Sequence, residues 1–405
     1  GAARARLPPG SFYDTVAPVA TSHLRGRLPE LTDQHVCNVA WAFAHAEVRS
    51  PEVLKHMKVV SEKVSQKDAL ASMQSHHAAG TTWALLKVFT PDQQSLQKQV
   101  ELPGSVRATV AAAAAVALAN AKTWRPRDLV WVSWSVARAF ARDEALSLLP
   151  PVVDRLASMP ARDLVAADFT MVTWAIAATE MSRGHFQPAS VEALMSSALE
   201  NLRAQGPRAS SLETYWAGST WACARADFQG SARTFTEAVA DVAARSLTSS
   251  RPWTLRNLTM VAWALVMHSC YTPAAVRFIR EVYAIAIRSH REEGATAVDE
   301  LQSQLAQLSL IRVALLCEPR LRAGAAGDSA PIAKELGSFV QSAEASSSLE
   351  VTVSAMQAEV SMTLNAMGHG SSLRAEVLAT GGMLVDIAML PLPERTIASP
   401  RGAAI

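Results

Sequence analysis

Apolar residues recur along this chain with a period of forty to fifty residues. Six segments align without gaps on a tryptophan: HVCNVAWAFAHA (Trp41), HAAGTTWALLKV (Trp83), DLVWVSWSVARA (Trp134), DFTMVTWAIAAT (Trp174), YWAGSTWACARA (Trp221) and NLTMVAWALVMH (Trp263). Successive tryptophans are 42, 51, 40, 47 and 42 residues apart. The residue after each is small (Ala42, Ala84, Ser135, Ala175, Ala222, Ala264), and the next is apolar (Phe43, Leu85, Val136, Ile176, Cys223, Leu265). Five before stand Val36, Ala78, Leu129, Phe169, Trp216 and Leu258. Self-similarity at a fixed period marks a repeat architecture. The Trp and the residue three after it add a second apolar stripe to each segment, so the helix must be covered on more than one side. That is the position of the first helix of a pair, packed on its partner and on the next repeat. The regular Trp positions predict core residues that hold helices together, and the small residue beside each permits close approach.

A second amphipathic run follows each segment, as at Pro51–Val64, Leu146–Leu156, Pro188–Leu202, Ala232–Leu247 and Pro273–Ile287. Pro51, Pro188 and Pro273 sit where a first-turn proline belongs. The 51-residue interval contains Ser105–Lys122, read as an enlarged or inserted second helix. A seventh unit without its Trp falls at Leu301–Leu316, as terminal repeats often degenerate. Composition changes after Cys317: a loop at Arg322–Ala330, helices at Pro331–Glu344 and Leu349–Ala366, then strand character at Arg374–Ala379 and Met383–Met389 around Gly381-Gly382. The predicted fold is therefore all-α, a right-handed α-solenoid of about six to seven helix-pair repeats over residues 30–320. It follows a basic arm (1–29) and precedes a linker and helix (321–348), a small incomplete α/β segment (349–397) and a tail (398–405).

The chain is 49 % hydrophobic and 18 % charged, with a net charge of +2 that creates no overall field to announce a polyanion partner. Only eight of the 38 cations are Lys. Arginine forks suit phosphate recognition, but a GC-rich coding sequence produces the same bias. In the arm, Arg4, Arg6, Arg25 and Arg27 face the single acid Asp14, which resembles the acid-poor end of an organellar transit peptide. Cys37, Cys223, Cys270 and Cys317 form no CxxC, so neither a zinc knuckle nor a disulfide framework is expected, and a reducing compartment is the default. No apolar run approaches the roughly 18 residues that a membrane span needs.

The WAFA, WALL, WAIA, WACA and WALV cores resemble the octotricopeptide-type repeats of organellar RNA-binding proteins and the related helical region of the FAST-kinase-like family. The stretch from Val360 to Ala398 is similar to the opening of a RAP domain, which often ends such proteins. The resemblance implies an α-solenoid that binds single-stranded organellar RNA in processing, stability, translation or ribosome assembly. It implies a mitochondrial or chloroplast location, the mitochondrion slightly preferred. The RAP domain resembles a nuclease-like α/β fold in which an Asp in a VDI strand pairs with a later Glu-x-Asp strand. Asp386 occupies the first position, but residues 396–400 read TIASP where the second would follow. A metal-dependent nuclease needs at least two converging carboxylates, so no enzymatic activity, metal or cofactor is expected.

No GxGxxG, P-loop, HExxH or GxSxG occurs. His76-His77 stands just before a core segment and reads as structural. Two positions carry candidate recognition chemistry. Four after the Trp come His45, Lys87, Arg138, Ala178, Arg225 and Met267; His45, Lys87, Arg138 and Arg225 would form a spaced cationic ladder facing a phosphate backbone. Alternatively they are helix-end cations favoured by the C-terminal dipole. Six before the Trp come His35, His77, Asp128, Asp168, Tyr215 and Asn257, either one base-reading residue per repeat or helix caps. RNA competes as partner with protein, in a scaffold or a structural subunit of an assembly such as an organellar ribosome. If the ladder binds RNA, replacing Lys87, Arg138 and Arg225 by Ala weakens RNA affinity in a filter-binding assay without unfolding the chain.

Overall fold

The computed structural model describes residues 11–26, 32–66, 68–90, 101–293, 307, 308 and 311, and the backbone of 373–379 and 383–389. The helices are α1 Ser11–Gly26, α2 Asp33–His45, α3 Pro51–Val64, α4 Ala69–Ser72, α5 Ser75–Phe89, α6 Gly104–Ala119, α7 Pro126–Arg138, α8 Arg142–Ala157, α9 Ala166–Ala178, α10 Pro188–Gln205, α11 Glu213–Arg225, α12 Ser231–Ser246, α13 Leu255–Met267 and α14 Pro273–Glu293. The chain divides into two compact units, Gly1–Ile279 and Arg280–Ile405.

Every Trp segment is a helix, and the Trp is the ninth residue of all six (α2, α5, α7, α9, α11, α13). The starts are set by local chemistry. Thr32, Ser50 and Thr254 accept the amides of His35, Val53 and Asn257, satisfying donors that lack intrahelical partners. The ends are equally regular. Six after the Trp, Glu47, Phe140, Glu180, Asp227 and Ser269 adopt left-handed backbone with φ of 54–57°. The next amide then donates back to the carbonyl two after the Trp: Ala141 to Val136, Met181 to Ile176, Phe228 to Cys223 and Cys270 to Leu265. This is a Schellman closure, held by non-glycine residues at a cost of about 1 kcal/mol each.

The first unit is two layers of helices. In one, α2, α5, α7, α9, α11 and α13 pack in sequence, each against the next; in the other, α1, α3, α6, α8, α10 and α12 do the same. Successive pairs α2–α3, α5–α6, α7–α8, α9–α10 and α11–α12 link the layers. The alanine-rich run is thus the ordinary second helix of its repeat, α6, packed on α3, α5 and α8. The extra length of that repeat lies before it, between 90 and 104. Residues 11–26, read above as part of a basic arm, form α1 and pack on α3. Tyr13 lies edge-on to Phe43 at 6.0 Å, and the interior Pro18 is what hides this helix from a propensity reading.

In the second unit, β1 (Leu373–Ala379) and β2 (Met383–Met389) form an antiparallel hairpin, from Leu373 opposite Met389 to Ala379 opposite Met383. These are the two expected strands. Of the expected seventh unit at 301–316 only Gln307, Leu308 and Ile311 are described, all helical, with Leu308 and Ile311 buried; the rest of it lies outside the described residues. The helices expected at 331–344 and 349–366, the 322–330 loop and the tail lie outside the described residues. Among the described residues, no helix is long and apolar enough to cross a membrane.

Two histidines are buried in the first unit. His56 has no exposed surface and its Nδ1 lies 3.1 Å from Thr21 Oγ1; His268 is 3 % exposed with Nδ1 3.1 Å from Thr236 Oγ1. Burial lowers both from the usual 6.5 to about 4. A folded value below the unfolded one means that the unfolded chain takes up protons first as pH falls. Stability is therefore complete above pH 6.5 and is lost between 6.5 and 4, by roughly 2 kcal/mol per histidine on reaching pH 5. Urea titrations should show a midpoint that is flat from pH 8 to 7 and falls below 6.5. His56→Gln should remove its share of that slope; an unchanged slope would show that this histidine is not the cause.

Candidate nucleic-acid interface

At 3.6 residues per turn, positions two after and five before the Trp lie about 200° and 220° around the helix from it. Those positions face the second layer. Phe43 sits 5.3 Å from the His56 ring on α3, Trp216 6.0 Å from Phe235 on α12, and Cys223 Sγ 3.2 Å from Met195 Sδ on α10. The repeat tryptophans therefore point the opposite way. Trp41, Trp83, Trp134, Trp174 and Trp221 are half-buried, and only Trp263, at 8 % exposure, is covered. The expectation that they are core residues needs correcting. The deep core belongs to the residues around them, because a helix with one face on the second layer and two flanks on its neighbours has this stripe left over.

The indoles form a series along that open face. Ring centroids are 5.8 Å apart for Trp83–Trp131, 6.5 Å for Trp83–Trp134, 6.0 Å for Trp134–Trp174 and 6.5 Å for Trp221–Trp263. Four positions share the stripe: the Trp, the residues seven and three before it, and the residue four after. Across six helices these 24 positions contain Lys87, Arg127, Arg138, Arg225 and Arg256, with His45 and His76, and no Asp or Glu.

Each candidate cation has a definite place. His45 is exposed and lies flat on Trp41, its ring 4.6 Å away at 11°. Lys87 pairs with Glu47 at 3.4 Å, at the end of the preceding Trp helix. Arg138 is 9 % exposed; its Nε donates to Thr90 Oγ1 at 3.0 Å, at the end of α5, and its guanidinium lies 5.9 Å from the Trp174 ring centre. Arg225 is exposed, donates through Nε to the Ala177 carbonyl at the end of α9 (3.3 Å), and lies 5.8 Å from the Trp221 ring centre. Three of the four thus reach back to the C-terminal end of the preceding helix, where carbonyls are unsatisfied and the dipole is negative. They line the open face and tie repeats together at once.

The position six before the Trp is the third residue of each helix. His35 Nδ1 accepts the Thr32 amide at 3.3 Å and Asp168 accepts the Val165 amide at 3.0 Å. Asp128 is 1 % exposed, accepting two bonds from Arg125 and one from Ser75. Asn257 is 5 % exposed, whereas Tyr215 is 41 % exposed. His35 and Asp168 thus cap their helices, and Asp128 is tied to the Arg125 and Ser75 side chains instead. Arg127 and Arg256 escaped the sequence reading, as did the open side of the tryptophans. Plotting each segment at 100° per residue, with the acid-free stripe in view, would have shown both.

Among the described residues, no three His, Cys, Asp or Glu side chains gather as a metal site would require. His76 and His77 are ring neighbours at 3.9 Å. Cys37, Cys223 and Cys270 are buried and burial raises each thiol above its usual range, the opposite of a reactive cysteine. Asp386 lies in β2. No protein-family model and no curated protein matches this chain.

The burial difference separates two of the ladder cations. Arg138→Ala should cost about 1–3 kcal/mol by urea unfolding, because a charge-assisted bond is lost and Thr90 loses its donor. Arg225→Ala should stay within about 0.5 kcal/mol. Equal effects would contradict this assignment.

Proposed function

We propose that this chain binds single-stranded RNA along the Trp-bearing face of its first helix layer and performs no chemistry on it. The supporting observation is the stripe itself: half-buried indoles interleaved with five Lys or Arg and two His, in a chain of net charge only +2. None of its 24 positions is Asp or Glu, although Glu47 pairs with Lys87 at 3.4 Å and Asp168 with Arg127 at 3.5 Å from beside it. Aromatic rings with a flanking cationic track are the combination that single-strand binders use, since every base has a π-face and every nucleotide a phosphate. The resemblance to octotricopeptide-type repeats with a RAP-like end points the same way, and extends the proposal to an organelle, to RNA processing, stability, translation or ribosome assembly, and to the right-handed solenoid of that family. We assign no catalytic role to the RAP-like segment.

A protein-binding face is the competing reading. It is favoured by the apolar end of the stripe, where the 46 % exposed Met267 stands in the row that elsewhere carries His45, Lys87, Arg138 and Arg225, and Met260 lies seven residues before it. Crosslinking followed by sequencing of bound RNA decides between them. RNA recovered well above background supports the proposal; no RNA together with a co-purifying protein complex overturns it. In vitro, few cations reach the open face, so the logarithm of affinity should fall with the logarithm of salt at a slope of about −2 to −4. A slope near zero would remove phosphate contacts from the account.

A further inference from the structure

We propose that the first edge of the stack, made by α1 and α2, joins a second copy of this chain in a closed two-fold dimer, independently of RNA. Every later Trp helix receives its predecessor on one flank. The residue two before the Trp and the small residue after it lie on that flank, and neither has any exposed surface in α5, α7, α9, α11 or α13. At the α9–α11 joint, for example, Ser219 Oγ lies 3.0 Å from Thr170 Oγ1 of the preceding helix. In α2 the same two positions, Val39 and Ala42, are only half-buried, as is Ala46 one turn on. Among the described residues, this is the one Trp helix whose preceding flank is uncovered.

The second layer is open on the same side. Helix α1 turns Tyr13 to Phe43 on α2 and Thr21 to His56 on α3. Phe12, Val16 and Val19 lie about 140–180° round the helix from Thr21, on the side away from α3. Phe12 is 44 % and Val19 55 % exposed, and Val16 is half-buried. The end of a repeat stack ordinarily carries a polar outer face. This one carries an apolar band across both layers.

Two features select a second copy as its cover. The flank through which each Trp helix meets its successor is already covered in α13: Thr259 and Ala262, which correspond to Cys37 and Ala40 of α2, have no exposed surface. Copies cannot therefore add head to tail, and a first edge must meet another first edge, which closes at two. The other feature is charge. A two-fold contact sets a surface against itself, so a charged edge would repel its copy. Besides the six apolar residues above, the same helix faces add only His23 and His35, and no Asp, Glu, Lys or Arg. Antiparallel α2 helices would lay Val39 of one copy beside Ala42 of the other, continuing the close helix approach of the internal joints.

Sedimentation equilibrium of the full chain without RNA, over the micromolar range, tests this. The weight-average mass should rise from that of one chain to that of two and no further. Ala42→Glu and, separately, Val19→Glu set like charges against each other across the axis, and each should weaken association by about tenfold or more. Both sites are at the surface of the single chain, so the variants should keep the circular dichroism of the wild type; should one misfold, the other decides. Leu118→Glu, which puts the same charge on a 41 % exposed site of α6, should leave the dimer intact. A chain that stays monomeric, a mass that rises past two copies, or a dimer that survives both edge variants overturns the proposal.

Discussion

The residue just before each repeat Trp is Ala40, Thr82, Ser133, Thr173, Thr220 or Ala262, and none has any exposed surface. They belong to the flank that also carries Cys37 against Gly80 and Thr170 against Gly218 on the next helix. Side chains no bulkier than threonine along this seam let neighbouring Trp helices approach closely, and the three threonine hydroxyls among them are satisfied within their own helix, while Ser133 Oγ is buried without a hydrogen-bond partner. Thr82 and Thr173 donate to the carbonyls of Ala78 and Phe169 at 2.8 Å, and Thr220 to Ala217 at 2.9 Å. Much else follows from that seam. With large side chains excluded from the flanks, the apolar bulk goes either to the second layer or to the open face, and the indole takes the open face.

Polar contacts between repeats follow the same geometry. Helix ends leave backbone groups without partners, and here adjacent repeats supply many of them. Arg49 donates to the carbonyls of Lys87 and Thr90, Glu192 accepts the Ser231 amide, Glu213 accepts the Thr254 amide, and Asn201 holds the carbonyls of Ala161 and Leu164. Each repeat is thus completed by its neighbour in hydrogen bonding as well as in burial, the nearest-neighbour energetics expected of stacked repeats. The cations four after the Trp take part in this, which is why charge on the open face and stability of the stack are not independent. Arg138 is the clearest case, being buried, hydrogen-bonded and over an indole at the same time.

That dual use governs the proposed function. Arg225 and His45 are exposed beside an indole, whereas six before the Trp His35 and Asp168 are committed to backbone amides and Asp128 to Arg125. In that proposal the face engages a flat, negatively charged chain through its rings and a few cations. It has little left with which to distinguish one base edge from another.

The sequence by itself determined the repeat, the six Trp helices, most of their partner helices and the C-terminal hairpin. These depend on local chemistry: helical periodicity, first-turn prolines such as Pro51 and Pro188, the Thr32 and Thr254 caps, and Gly381-Gly382 between two β-rich runs. It also contained the capping role of Asp168. The tertiary structure alone decided which face of each helix stays open, that residues 11–26 join the stack despite Pro18, and that Lys87, Arg138 and Arg225 lean back onto the preceding repeat. The reason is physical. Periodicity says that a helix has an apolar side and small flanks, but a half-buried indole and a fully buried leucine look alike until the neighbours that cover one and not the other are in place.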